Sequence, residues 1–185
     1  CHSSKRFMPH YHIPLQSGSN KILKLMRRRY NTEIYRSLIN KIKKLDGDTC
    51  IGVDVIVGFP GESDSDFMKT YEFLLDLDIS YLHVFSYSER LNTDACNFGS
   101  SVPKEKRLQR SRMLHNLSNK KRDHFYNRYL NKKRKVLFET IKDGKLVGHT
   151  DNYVKVKIDP IPELVNSIKK TSLIKNLGDS LFGKI

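Results

Sequence analysis

The sequence predicts an α/β protein: a short parallel sheet flanked by helices, followed by a small antiparallel β-barrel. Three observations carry that prediction. Apolar segments at residues 8–15, 50–59 and 81–87 alternate with helix-periodic stretches, the rhythm of right-handed βαβ units. The first two break off into Gly-punctuated polar loops, Gln16-Ser17-Gly18-Ser19 and Gly58-Phe59-Pro60-Gly61-Glu62. Beyond Lys135 the helical period gives way to short strand-like runs around an Asp143-Gly144 hairpin signal.

Each element follows from local pattern. Residues 8–15 read as a strand that ends at the Gln16 loop. Ser19 is placed to cap a helix whose Ile22, Met26 and Tyr30 recur every four positions. A second helix is expected over about 33–45, where Tyr35, Leu38, Ile39 and Ile42 fall on one face, and Asp46-Gly47-Asp48 ends it. Residues 50–59 are rich in Val and Ile with little alternation, as expected of a strand buried on both faces. Ser63 and Asp66 form a capping box for a third helix carrying Phe67, Tyr71, Leu74 and Leu75. A third strand over 81–87 leads into a polar loop to about residue 101. The region from 104 to about 130 then reads as a helix with Leu114, Leu117, Phe125 and Tyr129 on one side. We place the domain boundary at 133/134, giving an α/β domain over 1–133 and a β domain over 134–185.

Charge narrows the range of partners. The 185-residue chain carries a formal charge of +14, and residues 101–135 hold thirteen lysines and arginines against Glu105 and Asp123. Such a concentration favours a polyanion such as RNA, because neutralising phosphates releases counterions; a solvated lysine-rich helix is the plainer alternative. The cysteines Cys1, Cys50 and Cys96 are too far apart for a metal cluster or an evident disulfide framework, which fits a cytoplasmic protein. No apolar stretch approaches membrane-spanning length. A chain that opens on Cys1 rather than Met reads as one that begins in the middle of a fold.

Three strands ending in polar loops on one side mark a ligand site, since open α/β sheets bind ligands at the carboxyl ends of their strands. Gln16, Ser17 and Ser19 offer polar groups there, and Gly18 lets a ligand approach the backbone. Met26-Arg27-Arg28-Arg29-Tyr30 supplies guanidinium groups that match a carboxylate, or simply a solvated helix end. The 58–62 loop offers backbone to a nucleoside, but it is neither G-x-x-x-x-G-K-[ST] nor G-x-G-x-x-G. Glu62, just ahead of a helix, reads as structural. His10, His12 and His83 lie in or beside strands and read as structural rather than as metal ligands. No residue reads as catalytic.

These residues together resemble the methylthiotransferase family of radical S-adenosylmethionine enzymes. The resemblance rests on Pro9-His10-Tyr11-His12-Ile13-Pro14-Leu15-Gln16-Ser17-Gly18-Ser19, on Leu25 to Tyr30, on Gly52 to Glu62, and on Phe85-Ser86-Tyr87-Ser88-Glu89-Arg90 with Asn92, Thr93 and Ala95. It implies that the chain forms the C-terminal strands of a partial radical SAM (β/α) barrel. The run Gly148-His149-Thr150-Asp151-Asn152-Tyr153-Val154-Lys155-Val156 looks like the TRAM domain, a small RNA-binding barrel. The resemblance implies transfer of a methylthio group to an adenosine beside the tRNA anticodon, and it is nearest the branch acting on C2 of threonylcarbamoyladenosine. The branch modifying a ribosomal protein, and a non-catalytic RNA-binding protein, are the alternatives; DNA is not an expected partner.

By the same resemblance, Gln16 and Ser17 lie beside S-adenosylmethionine, and Arg28 faces its carboxylate. Val57, Gly58 and Phe59 line the adenine side, and Ser88 and Arg90 close the site. The family's [4Fe-4S] clusters are held by cysteines, one set in C-x-x-x-C-x-x-C spacing, and neither set is present in this sequence. The implied chemistry therefore belongs to a longer chain, this one being inactive alone.

Overall fold

The structure is a computed structural model that describes residues 4, 6–89, 93–98 and 101–185. The chain divides into two compact units, one formed by His12–Leu45 and Ile51–Ser118, the other by Cys1–Tyr11, Asp46–Cys50 and Asn119–Ile185. Among the described residues no helix is long and apolar enough to cross a membrane.

The first unit is α/β. Its sheet has the order β1 (His10–His12), β2 (Cys50–Val57), β3 (Tyr81–Ser86), and β2 and β3 run parallel with Asp54 opposite His83. β1 is shorter than the 8–15 run implied, because Pro14 has no N–H to donate. The chain nevertheless stays alongside β2: the Ile13 and Leu15 amides donate to the Gly52 and Asp54 carbonyls at 2.9 and 3.1 Å. β2 departs from the two-sided burial its composition implies. Ile51, Val53, Val55 and Val57 are fully buried against the helices, whereas Asp54 and Ile56 face outward and are only partly covered. Each of those four side chains contributes roughly 1.5–3 kcal/mol by burial.

The helices are α1 (Asn20–Leu25), α2 (Thr32–Leu45), α3 (Asp64–Asp76) and α4 (Lys104–Asn127). α1 stops well before Tyr30. Arg27 adopts φ +55°, its amide donates to Lys24 O, and the Arg28 amide reaches back to Leu23 O at 2.9 Å. That is a Schellman closure, and it turns the chain out of the helix at the arginine run. On α2, Tyr35 and Ile39 are buried while Leu38 is exposed. On α3 the capping box is present as read, with the Ser63 hydroxyl accepting from the Asp66 amide and the Asp66 carboxylate from the Ser63 amide. Leu114 and Leu117 of α4 complete the core that β2, α2 and α3 share.

The second unit is a closed five-stranded barrel of order β4-β5-β6-β8-β7, built from β4 (Lys133–Lys142), β5 (Lys145–Thr150), β6 (Lys155–Ile158), β7 (Ser167–Asn176) and β8 (Leu181–Lys184). Four pairings are antiparallel, but β6 and β8 run parallel, which corrects the purely antiparallel expectation. Asp143 (φ +50°) and Gly144 (φ +70°) form the tight β4–β5 hairpin. Val136, Phe138, Leu146, Val154, Val156, Leu173 and Leu181 fill the interior and are fully buried.

Candidate functional site

The two loops singled out by sequence are pinned to one another through the first turn of α3. The Asp66 carboxylate accepts from the Ser19 hydroxyl at 2.9 Å and from Lys21 Nζ at 2.8 Å, and Lys21 also donates to the Gly61 carbonyl. Burial opposes ionisation of Asp66. Hydrogen bonds from Lys21, Ser63 and Ser19 outweigh it and hold the carboxyl well below the ordinary range. Ser19 sits at the N-cap position of α1 but spends its hydroxyl on Asp66. Ser17 is fully buried, its hydroxyl bonded to Thr70 Oγ1 of α3 at 3.2 Å, so it anchors the loop rather than facing open space. Gly18 admits α3 itself, since a Cβ there would lie 2.7 Å from Thr70 Cα.

Gln16 adopts φ +74°, a conformation a non-glycine residue holds only when its surroundings enforce it. Its backbone is locked on both sides, the amide donating to Asp54 O at 2.8 Å and its carbonyl accepting from Ile56 N at 2.9 Å. The 58–62 loop is held as firmly. Gly58 (φ +77°) donates its amide to Glu62 Oε2 at 2.7 Å, and Arg107 of α4 covers its α-carbon, leaving no room for a side chain. Glu62 is indeed structural: it is buried, and Arg110 Nη1 lies 2.6 Å from Oε2. Burial pushes the Glu62 carboxyl up, against the Gly58 amide and Arg110, which favour its charged form.

Two hollows open at the carboxyl ends of β2 and β3. One, of about 260 Å³, is lined by Met26, Arg27, Arg28, Ile56, Phe59, Tyr87 and Phe98 among others. The other, of about 410 Å³, is lined by Ile56, Phe85, Tyr87, Ser88 and Thr93 among others, so the two share Ile56 and Tyr87. Phe59 packs edge-on against Tyr87 with ring centroids 5.4 Å apart. Arg28 is exposed on the first hollow, whereas its neighbour Arg27 is spent on Asp94 at 2.6 Å. Tyr30 fixes the arginine turn by donating its hydroxyl to Leu15 O at 3.0 Å. Burial raises the Tyr30 hydroxyl pKa, against the charge of Arg28.

Of the site residues read from sequence, the structure brings Arg28, Phe59 and Ser88 to these hollows. Val57 is not among them: alternation along β2 turns it into the core and gives the site Ile56 instead. Gln16 and Gly58 act through their backbones, and Arg90 lies outside the described residues. Sequence reading missed Ile56, Tyr87 and Phe98, and also Arg107. Arg107 ties the β3 loop in place by donating to the Tyr87 carbonyl at 2.9 Å and to Glu89 Oε1 at 2.7 Å. Nothing local pointed to Ile56 within its β-branched run, nor to Arg107.

The basic region divides by use. On the first half of α4, Lys106, Arg107 and Arg110 form ion pairs with Asp64, Glu89 and Glu62, so this part of the charge is internal. In the barrel unit, Arg134 pairs with Asp48 and Asp151. The strand register there sets Lys133 opposite Ser172 and Lys135 opposite Lys170, and all three lysines are exposed. Cys1 and the side chain of Cys96 lie outside the described residues, and Cys50 is buried in β2, so the described residues do not supply the ligand set of an iron–sulfur cluster.

Residues 4–74 match the radical SAM superfamily. The chain is 41% identical over 162 residues to the threonylcarbamoyladenosine tRNA methylthiotransferase MtaB of Aquifex aeolicus, an alignment covering 88% of this chain and 38% of that protein. It is 37% identical over 177 residues to the corresponding protein of Bacillus subtilis, covering 93% and 39%. It is also 37% identical over 177 residues to the tRNA-2-methylthio-N(6)-dimethylallyladenosine synthase of Endomicrobium trichonymphae, covering 96% and 42%. The chain thus spans about two-fifths of the length of these relatives. Among solved structures, the coproporphyrinogen III oxidase HemN of Escherichia coli, described as a radical SAM enzyme, superposes with a TM-score of 0.53 at 17% identity, over 61% of this chain and 27% of that one. That likeness concerns the fold alone.

Proposed function

We propose that this chain, a relative of the radical S-adenosylmethionine tRNA methylthiotransferases, is the cofactor-facing and RNA-facing part of a cytoplasmic enzyme that transfers a methylthio group to C2 of threonylcarbamoyladenosine in tRNA. The observation that carries the reading is the first hollow, which an exposed guanidinium lines together with apolar and aromatic side chains at the ends of β2 and β3. That donor set fits S-adenosylmethionine, which has a carboxylate for Arg28 and an adenine for Ile56, Phe59 and Tyr87. When bound, this cofactor supplies the methyl group and the hydrogen-abstracting fragment of this reaction class.

The residues of this chain bind and orient. Arg28 would hold the cofactor's carboxylate through charge-assisted hydrogen bonds. The locked carbonyls and amides at Gln16 and Gly58 fix the loop edges, and Arg107 holds the β3 loop that carries Ser88. Cluster ligation and the steps that depend on it fall to residues outside this set. The barrel is assigned as TRAM-like, its exposed lysines meeting tRNA phosphate.

Two measurements test this. Calorimetric titration of the chain with S-adenosylmethionine is expected to show binding that Arg28→Ala weakens at least tenfold with no change in melting temperature; equal affinity overturns the site assignment. Deleting the gene is expected to remove the 2-methylthio group from threonylcarbamoyladenosine in nucleoside mass spectra. Loss from dimethylallyladenosine instead assigns the other branch of relatives, and an unchanged profile overturns the reading.

A further inference from the structure

The outward face of the parallel sheet carries a second constellation, one residue from each strand at the same level. Asp54 of β2 lies directly opposite His83 of β3 in the register. His12, the last residue of β1, meets Asp54 from the other side with Nε2 2.7 Å from Oδ1. The imidazoles of His12 and His83 lie nearly parallel, 14° apart in plane with centroids separated by 5.1 Å. The edge of Tyr81 packs against His83 and steadies it. Two ring nitrogens and one carboxylate oxygen, drawn from three strands, lie within 4.8 Å of one another.

We propose that His12, Asp54 and His83 form a binding site for a divalent first-row transition metal. Two imidazoles and one carboxylate on one face are a donor set that such ions accept, with the remaining coordination positions left open to water or a substrate oxygen. The three ligand atoms already lie within 4.8 Å of one another, so rotation of the side chains on their strands would bring them round one ion in place of the His12–Asp54 hydrogen bond. His12 presents its Nε2 lone pair when its single ring proton sits on Nδ1, the tautomer that metal binding selects. A lone His–carboxylate pair does not explain the arrangement. The barrel's His149–Glu139 pair, at 2.7 Å, satisfies both partners, and among the described residues no third His, Cys, Asp or Glu joins it. On β2 and β3 a third donor converges. Ile56 and Phe85 stand two residues further along the same strands, about 7 Å away, and line the second hollow. The site therefore lies on the same sheet face as the residues lining that hollow.

The test is independent of the methylthiotransfer reading. The purified chain is titrated with zinc chloride by calorimetry and with cobalt(II) chloride by visible absorption, alongside His83→Ala, Asp54→Asn and His149→Ala. One equivalent is expected to bind, with a cobalt ligand-field band. His83→Ala and Asp54→Asn are expected to weaken binding at least tenfold and to abolish the band, and His149→Ala to leave both unchanged. His83 is exposed, so its variant is expected to keep the wild-type melting temperature and serves as the deciding one if Asp54→Asn fails to fold. Absence of saturable binding, or binding that survives His83→Ala in the folded chain, overturns the proposal.

Discussion

The open sheet and the closed barrel solve the same problem in opposite ways, and the contrast explains where chemistry is located. The barrel satisfies every strand edge by closure and fills its interior with apolar side chains, so its stability comes from packing. The parallel sheet buries one face against helices and leaves the other with Asp54, His12, His83 and Phe85 at least partly accessible. The loops at its strand ends bury Phe59 against Tyr87, and ion pairs, caps and locked backbone hold them as well. Polar groups fixed in place beside open space are what binding requires, and a sealed apolar core offers none.

That contrast can be broken by measurement. The largest effects are expected where each unit relies on its own device. Phe138→Ala empties a fully buried position in the barrel and is expected to cost about 3–5 kcal/mol. The loss should appear as faster amide hydrogen exchange in β4, β5 and β7. Arg110→Ala should cost about as much for a different reason, roughly 3–5 kcal/mol, because it leaves the buried Glu62 carboxylate without its partner. Here the faster exchange is expected in residues 58–66. Recovery in the Glu62→Gln, Arg110→Met double variant, read by urea denaturation, would confirm that the uncompensated charge carries the cost. If Arg110→Ala were silent, the idea that ion pairs hold the site loops would fail.

A smaller effect is expected at the α3 cap. Ser63→Ala removes a hydrogen bond from both the helix and Asp66 and should cost about 1 kcal/mol. Because the Asp66 carboxyl is held below its ordinary value in the folded chain, its contribution is present above about pH 4 and is lost as pH falls below that. Asp66→Asn should therefore flatten the acid limb of a stability-versus-pH curve without changing its shape above pH 6. The smallest stability change, within about 0.5 kcal/mol, is expected of Lys135→Ala and Lys170→Ala on the barrel surface. Their signature lies in binding: each should lower the slope of log affinity for tRNA against log salt by about 1. An unchanged slope would remove this face from the RNA contact.

What was legible in the sequence follows from how local each signal is. The capping box at Ser63 and Asp66, the Asp143-Gly144 hairpin and the core side of α4 appeared where read, because each depends on residues within a turn or two of one another. The loops and the arginine run also marked the strand ends that form the hollows, and Arg28, Phe59 and Ser88 are among the residues lining them. The Val57 side chain lies in the core, which its sequence did not show, because a run of β-branched residues hides which face each side chain takes and only packing against α2 and α3 decides it.

The sequence by itself determined the order of elements as far as α4, the helix starts and turns, the excess positive charge and the family motifs, since short-range sterics, hydrogen bonding and composition suffice for these. Only the tertiary structure decided that Arg107 and Arg110 serve the site loops rather than a polyanion, that β6 and β8 pair in parallel to close the barrel, and that His12, Asp54 and His83 converge. Each of those joins residues far apart in the chain. Such contacts are selected by the free energy of burying apolar surface and pairing buried charge across the whole fold, a quantity that no window of sequence contains.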